Sequence, residues 1–281
     1  MALLHVNFFS KTLGIACSMD VILPETEQGI GILTDAGGIL TDAGGISTEA
    51  DCTSGQPALL PVLYLLHGLS DDHTIWQRRT SIERYAASRR LAVVMPAVNR
   101  SFYTDQKMGY RYWTFISDEL PQIVKTLFHI SSRREDTFVA GLSMGGYGAL
   151  KLGLRCPDKY AAAASLSGVT DLTRFVADED PDRLAEGKMI FGSVDEYVGS
   201  DDDLFALAKK TAMPGIARPK IFMACGTEDF LYQDNLVFRP FLEKLGYDLK
   251  WTEKPGATHE WGYWDEMIQQ VLDWLPLQDQ G

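Results

Sequence analysis

A serine hydroxyl is a poor nucleophile at neutral pH unless a base takes its proton, so a Ser/His/acid constellation is the first chemistry to look for in these 281 residues. Gly141-Leu142-Ser143-Met144-Gly145 follows the apolar run 137–140 and precedes an apolar helical stretch at 147–154. A strand that turns sharply into a helix brings two backbone segments so close that side chains at 141 and 145 would collide, and it pushes Ser143 out at the strand's end. The bare five-residue pattern is weak, because composition alone produces it often; its strand-turn-helix setting gives it content.

Five histidines compete for the role of base. His5 lies in a strand-like N-terminal run, His73 among polar loop residues and His129 at a helix end, all settings for surface or capping roles. His67, in Leu65-Leu66-His67-Gly68-Leu69, follows a strand, where a neutral imidazole hydrogen-bonded to backbone is the commoner role. His259 follows the last strand and Pro255-Gly256, opens Thr258-His259-Glu260-Trp261 before the final helix, and so sits at the carboxyl edge of a sheet. The base needs a carboxylate to fix its tautomer and stabilise the imidazolium. Asp229, in Cys225-Gly226-Thr227-Glu228-Asp229 directly after an apolar run, is the best placed, with Glu228 and Asp234 as rivals. The order nucleophile, acid, base is that of the nucleophile-elbow hydrolases. Donors for the oxyanion would be the backbone N–H of Met144 and that of Leu69, in the loop after an earlier strand.

Something must hold these groups together. Apolar runs at 61–66, 91–95, 137–142, 161–166, 220–225 and 247–252 predict strands, and helical spacing at 80–89, 114–128, 145–155, 234–245 and 260–275 alternates with them. That alternation predicts an α/β architecture: a mostly parallel sheet with helices on both faces, in one domain spanning 1–281. Residues 171–214 break the rhythm. They are acidic, punctuated by glycine and helical in pattern only at 203–210, and read as a cap-like insertion over the sheet's carboxyl edge, where open α/β sheets bind ligands. The seven residues Ile32-Leu33-Thr34-Asp35-Ala36-Gly37-Gly38 recur at once as Ile39–Gly45, too few copies for a solenoid, so 25–57 reads as a loop insertion.

Composition narrows the partners. A net charge of −12 argues against nucleic acid and anionic membrane surfaces, which would be repelled. Cys17, Cys52, Cys156 and Cys225 have no metal-ligand spacing and read as reduced thiols; no metal site is expected. Nowhere do eighteen consecutive apolar residues occur, and 1–15 lacks the form of a signal peptide, so the expected location is cytoplasmic.

Taken together, Tyr64-Leu65-Leu66-His67-Gly68-Leu69, Val93-Val94-Met95-Pro96, Phe102-Tyr103-Thr104-Asp105, Glu119-Leu120-Pro121, Gly141-Leu142-Ser143-Met144-Gly145-Gly146-Tyr147-Gly148 and Thr258-His259-Glu260-Trp261 resemble the bacterial tributyrin esterases, within the esterase D and S-formylglutathione hydrolase group of α/β-hydrolases. The resemblance spans residues 3–276. It implies the α/β-hydrolase fold and cofactor-free hydrolysis of short-chain acyl esters, a small-molecule substrate, through an acyl-serine formed by Ser143, Asp229 and His259. Two alternatives share that machinery: a thioesterase of the S-formylglutathione type, and an acyltransferase to an alcohol acceptor such as the related mycolyltransferases. S-formylglutathione hydrolases usually have a cysteine just after the oxyanion-hole leucine, whereas Ser70 follows Leu69 here. Trp76, the cluster Tyr110, Tyr112 and Trp113, and the 171–214 insertion are candidate walls of an acyl pocket, with core packing as the alternative for each aromatic. Edge strands in this fold often pair subunits, so a homo-oligomer is open, without a surface to assign it to.

Overall fold

Apolar runs become strands where the alternation predicts them. The computed structural model describes residues 1–26, 29–30 and 59–277. β1 (Ala2–Ser10), β2 (Ile15–Leu23), β3 (Val62–Leu66), β4 (Ala92–Pro96), β5 (Thr137–Leu142), β6 (Ala162–Leu166), β7 (Lys220–Gly226) and β8 (Leu249–Lys254) form one eight-stranded sheet in the order β1-β2-β4-β3-β5-β6-β7-β8. β3 to β8 pair in parallel, and β1 and β2 are antiparallel at one edge. β3, β4, β5 and β6 are buried at every position, as strands covered on both faces must be, whereas β1 alternates between more and less exposed residues as an edge strand does. The loop expected over 25–57, with its duplication, lies outside the described residues apart from a two-residue pairing of Glu25–Thr26 with Gly29–Ile30.

The helices divide between the faces. α1 (Ile75–Arg79) and α2 (Ile82–Ala87) pack on one side with the final helix, where Ile75, Trp76, Ile82, Tyr263, Ile268 and Leu272 close over the sheet. On the other side lie α3 (Tyr112–Thr114), α4 (Leu120–Leu127) and α5 (Met144–Arg155). Between α3 and α4 the chain widens into a π turn at Phe115–Glu119. The cause is local: Pro121 has no N–H to give to the carbonyl of Ser117, and Lys159 Nζ takes that oxygen instead at 3.0 Å.

The segment between β6 and β7 differs from its expectation. Instead of one helix near 203–210 it holds four: α6 (Thr173–Val176), α7 (Pro181–Phe191), α8 (Val194–Tyr197) and α9 (Leu204–Thr211). The acidic and polar residues that look like breakers are caps. Asp180 accepts from the N–H groups of Asp182 and Arg183 ahead of Pro181, Ser193 and Glu196 form a reciprocal capping box, and Asp203 accepts from Phe205 and Ala206. Each cap stabilises its helix by about 1 kcal/mol. α10 (Tyr232–Lys244) and α11 (Trp261–Trp274) complete the chain's alternation.

The strand order reverses direction at β3: β4 lies on one side of it and β5 on the other. Such a switch point opens a crevice at the carboxyl ends of the strands. The loops leaving β3 and β5 are those that carry Leu69 and Ser143.

Candidate active site

Ser143 leaves β5 with φ 53° and ψ −118°, a conformation that costs a non-glycine residue on the order of 1–3 kcal/mol. Its backbone is over-determined. The N–H donates to Leu166 O at 2.9 Å, and the carbonyl accepts from Tyr147 N–H at 3.1 Å and Val169 N–H at 3.3 Å. A Cβ on Gly141 would run into the carbonyl of Gly145, and one on Gly145 would lie 2.5 Å from Leu66 O, so both glycines are required by close approach.

Beside this elbow runs the loop that leaves β3. Leu66 pairs with Gly141 across the ladder, and a Cβ on Gly68 would stand 3.8 Å from Ser143 Cβ. Successive carbonyls of the loop are pinned: Leu66 O accepts from Trp76 Nε1 at 3.0 Å, His67 O from Tyr103 Oη at 2.9 Å, and Gly68 O from His67 Nδ1 at 2.7 Å. Fixing the Gly68 carbonyl fixes the peptide plane, and with it the direction of the Leu69 N–H. Met144 is the first residue of α5, so its N–H has no intrahelical acceptor. His67 Nε2 accepts from Val98 N–H at 3.1 Å, which assigns the proton to Nδ1 and leaves the ring neutral. Burial pulls its pKa down from 6.5 to about 4, opposed by the Gly68 carbonyl and the Asp72 carboxylate.

Asp229 and His259 meet two strands away. Asp229 Oδ2 lies 2.8 Å from His259 Nδ1, and Oδ1 accepts from Leu231 N–H at 2.8 Å. Burial pushes the Asp229 carboxyl up, but the His259 hydrogen bond, the Leu231 N–H, the His259 charge and the Ser167 hydroxyl together hold it below the ordinary carboxylate range. With Nδ1–H given to Asp229, Nε2 is the nitrogen free to take a proton. The rivals point elsewhere: Glu228 is exposed, and Asp234 sits 3.9 Å from Arg174. The turns are stepped, with Ser143 N–H bonded to the end of β6 and Ser167 N–H to Ala224 O of β7 at 2.7 Å. The structure thus brings Asp229 and His259 into contact and sets Ser143 beside Gly68; no hydrogen bond joins Ser143 to His259 among the described residues. In hydrolases without substrate that bond is commonly long and tightens in the substrate complex.

A scan against family models matches the "Putative esterase" family over residues 54–275. The chain belongs to that family. It is also 31% identical over 281 residues to an acetyl esterase of Caldicellulosiruptor saccharolyticus, covering 98% of each chain. Among solved structures it is similar to FphF, fluorophosphonate-binding serine hydrolase F of Staphylococcus aureus, with TM-score 0.82, 34% identity and 99% of each chain covered. It is also similar to the S-formylglutathione hydrolase FrmB of the same organism, with TM-score 0.79, 34% identity and 98% of each chain covered. The fold is the α/β-hydrolase fold, and the activity class is that of an esterase.

Of the aromatics offered as pocket walls or core, the structure places Trp76, Tyr112 and Trp113 in the core. Trp76 is fully buried, its N–H spent on Leu66 O and its ring edge-on to Trp261 at 5.2 Å, so it braces the β3 loop from the core. Tyr112 is 3% exposed and its hydroxyl accepts from Asn99 Nδ2 at 2.7 Å. Trp113 is buried with its ring under Arg155 and Lys151, at 4.3 and 4.9 Å from the cations. Both belong to the core on the α5 side. Tyr110, by contrast, is exposed.

Three residues of the site escape sequence reasoning. Ser167 is fully buried with φ 46°, and its Oγ accepts from Trp264 Nε1 at 3.1 Å. Trp264 also stands edge-on to the His259 ring at 4.8 Å. Lys151 on α5 is fully buried, its Nζ 2.5 Å from Asp202 Oδ1, 2.9 Å from Tyr103 O and 2.7 Å from Thr104 Oγ1. It ties the β6–β7 segment and the strained Phe102-Tyr103 turn to α5. Burial pulls its pKa down to about 8, against the opposing pull of Asp202. The only sequence signal for it is a lysine inside an otherwise apolar helical face.

Proposed function

We propose that this protein is a serine carboxylesterase that hydrolyses short-chain acyl esters through an acyl-serine intermediate. Ser143 attacks the ester carbonyl as His259 Nε2 takes its proton; Asp229 holds the imidazole in the required tautomer and stabilises its charged form; the N–H groups of Leu69 and Met144 hold the oxyanion. The alcohol leaves with the proton from His259, and water repeats the sequence on the acyl-serine. The observation that carries the reading is the buried Asp229 carboxylate 2.8 Å from His259, in a chain whose Ser143 occupies a strained strand-to-helix turn beside an ordered β3 loop. The likeness to an acetyl esterase supports a short acyl group. Tributyrin-type chain length is the upper end of that expectation.

Hydrolysis of p-nitrophenyl acetate, butyrate, octanoate and palmitate, compared between wild type and Ser143→Ala, tests it. Activity peaking at acetate or butyrate and lost in the variant is expected. Activity that survives Ser143→Ala refutes the mechanism. The likeness to an S-formylglutathione hydrolase favours a second reading, thioester hydrolysis, and S-formylglutathione in the same assay decides it. Ser70 after Leu69, where those enzymes usually have cysteine, sets the oxygen ester first.

A further inference from the structure

Two aromatic rings flank His259 at similar distance in opposite environments. Trp264 is 5% exposed, edge-on at 87°, with its N–H committed to Ser167. Phe230 follows Asp229 directly, lies with its centroid 4.5 Å from the imidazole at 44°, and is 74% exposed. Packing accounts for Trp264. It does not account for Phe230, whose ring gains little from burial and stands against an imidazole already held by Asp229 and Trp264. Single exposed apolar residues are common on protein surfaces. This one touches the base.

The course of the proton decides which half of an ester lies there. As the bond from Ser143 Oγ to the carbonyl carbon forms, the serine proton passes to His259 Nε2. As the bond from that carbon to the alcohol oxygen breaks, the same proton passes to the departing oxygen. The leaving oxygen must therefore come within hydrogen-bond reach of the imidazole, and the alcohol's substituent lies alongside that ring. The oxyanion, in contrast, points to the Leu69 and Met144 side. A flat apolar ring beside the imidazole is thus a neighbour of the alcohol half. We propose that Phe230 is the platform for the leaving group, and that the esters this site prefers carry an aromatic or similarly flat apolar alcohol. The inference rests on the serine-esterase reading and adds the half of the substrate which that reading leaves open.

The test compares kcat/KM for methyl acetate, benzyl acetate and methyl butyrate in wild type, Phe230→Ala and Phe230→Tyr. Methanol and benzyl alcohol are of similar acidity, so the two acetates differ mainly in what the leaving group touches. The benzyl-to-methyl acetate ratio is expected to fall about five- to tenfold in Phe230→Ala, the scale of a lost aromatic contact, and to recover in Phe230→Tyr. The butyrate-to-acetate ratio is expected to move less than about twofold. An unmoved benzyl-to-methyl ratio overturns the platform, and so does an equal loss on all three esters, which would mean that Phe230 only steadies His259. A change confined to butyrate would place the ring on the acyl side and overturn it as well. Fluorophosphonate labelling of Ser143 separates the two levels. Wild type that neither labels nor hydrolyses any ester refutes the esterase reading itself, whereas labelled, active protein with an unmoved ratio refutes only the role of Phe230.

Discussion

His67 is the group through which acid should loosen the fold. Its ring is buried, donates from Nδ1 to Gly68 O and accepts at Nε2 from Val98 N–H, so protonation would set an N–H against an N–H away from solvent. The unfolded chain takes up that proton as pH falls past about 6.5, whereas the folded chain resists it down to about 4. Stability from His67 is therefore complete above 6.5 and lost progressively as pH falls from 6.5 to 4. A tenfold change in proton affinity is worth about 1.4 kcal/mol, so the displacement corresponds to about 3 kcal/mol, a large part of the 5–15 kcal/mol that holds an ordinary domain. Urea unfolding of wild type and His67→Gln at several values between pH 7.5 and 4 measures it. Glutamine keeps a donor and an acceptor but does not titrate. The variant should be the less stable at pH 7, and its deficit should shrink by about 3 kcal/mol on going to pH 4. Parallel profiles for the two proteins would refute the reasoning, because they would show that His67 is not what acid attacks.

Asp229→Asn keeps the shape but favours the wrong imidazole tautomer; kcat should fall about 10³- to 10⁴-fold in ester hydrolysis assays while the unfolding midpoint moves little. Lys151→Met removes the cation that faces Asp202 and frees the carbonyl of Tyr103, and chemical denaturation should show a loss of about 3 kcal/mol, partly recovered in the double variant with Asp202→Asn. Ser167→Ala and Ser167→Gly both delete the hydroxyl that Trp264 and Asp229 share, but only glycine relieves the φ of 46°. Glycine should therefore be the more stable of the two in thermal unfolding by about 1 kcal/mol, with similar losses of kcat. Gly145→Ala would put its Cβ 2.5 Å from Leu66 O, and expression or folding rather than kcat alone should fail.

The sequence is most legible where one local cause decides the structure. β5 starts and ends where its apolar run does, and α5 begins one residue earlier than its pattern, because the glycines at 141 and 145 leave the turn only one geometry. β8 slips two residues, from the expected 247–252 to Leu249–Lys254, because Tyr247 is drawn into the core by a bond from its hydroxyl to Ala208 O at 2.8 Å. Of the four helices in the 171–214 stretch only α9, expected over 203–210 and found at Leu204–Thr211, is legible to periodicity; α6 and α8 are only four residues long, and α7 and α8 are announced by caps rather than by an apolar repeat. Trp76 shows a different limit. Its apolar bulk suggests a wall, but its place is set by the carbonyl of Leu66, a partner ten residues away that no spacing rule encodes. The contact between Asp229 and His259 is legible by chain order because the fold delivers each after a strand's carboxyl end; the place of Phe230 against the imidazole is not, because exposure is a property of what fails to cover a residue.

Backbone strain around this site is shared among neighbouring elements. Ser143, Ser167, Phe102 and Tyr103 all have positive φ, each at a cost on the order of 1 kcal/mol or more, and all lie near the carboxyl edge of the sheet or in the turn that braces it. None is relieved by glycine. Three are held by a bond from another element: Leu166 holds Ser143, Ala224 holds Ser167, and Lys151, itself on the helix that Ser143 starts, holds the carbonyl of Tyr103; the Phe102 carbonyl is held within its own turn by Thr104 Oγ1. Tyr103 in turn holds His67, and His67 holds the peptide that aims the Leu69 N–H. The candidate nucleophile and one candidate oxyanion donor are therefore linked through α5 as well as through the β3–β5 ladder. A substitution at Lys151 should accordingly disturb catalysis through the oxyanion donor as well as stability, lowering kcat more than it raises KM, although its side chain does not reach the β3 loop itself.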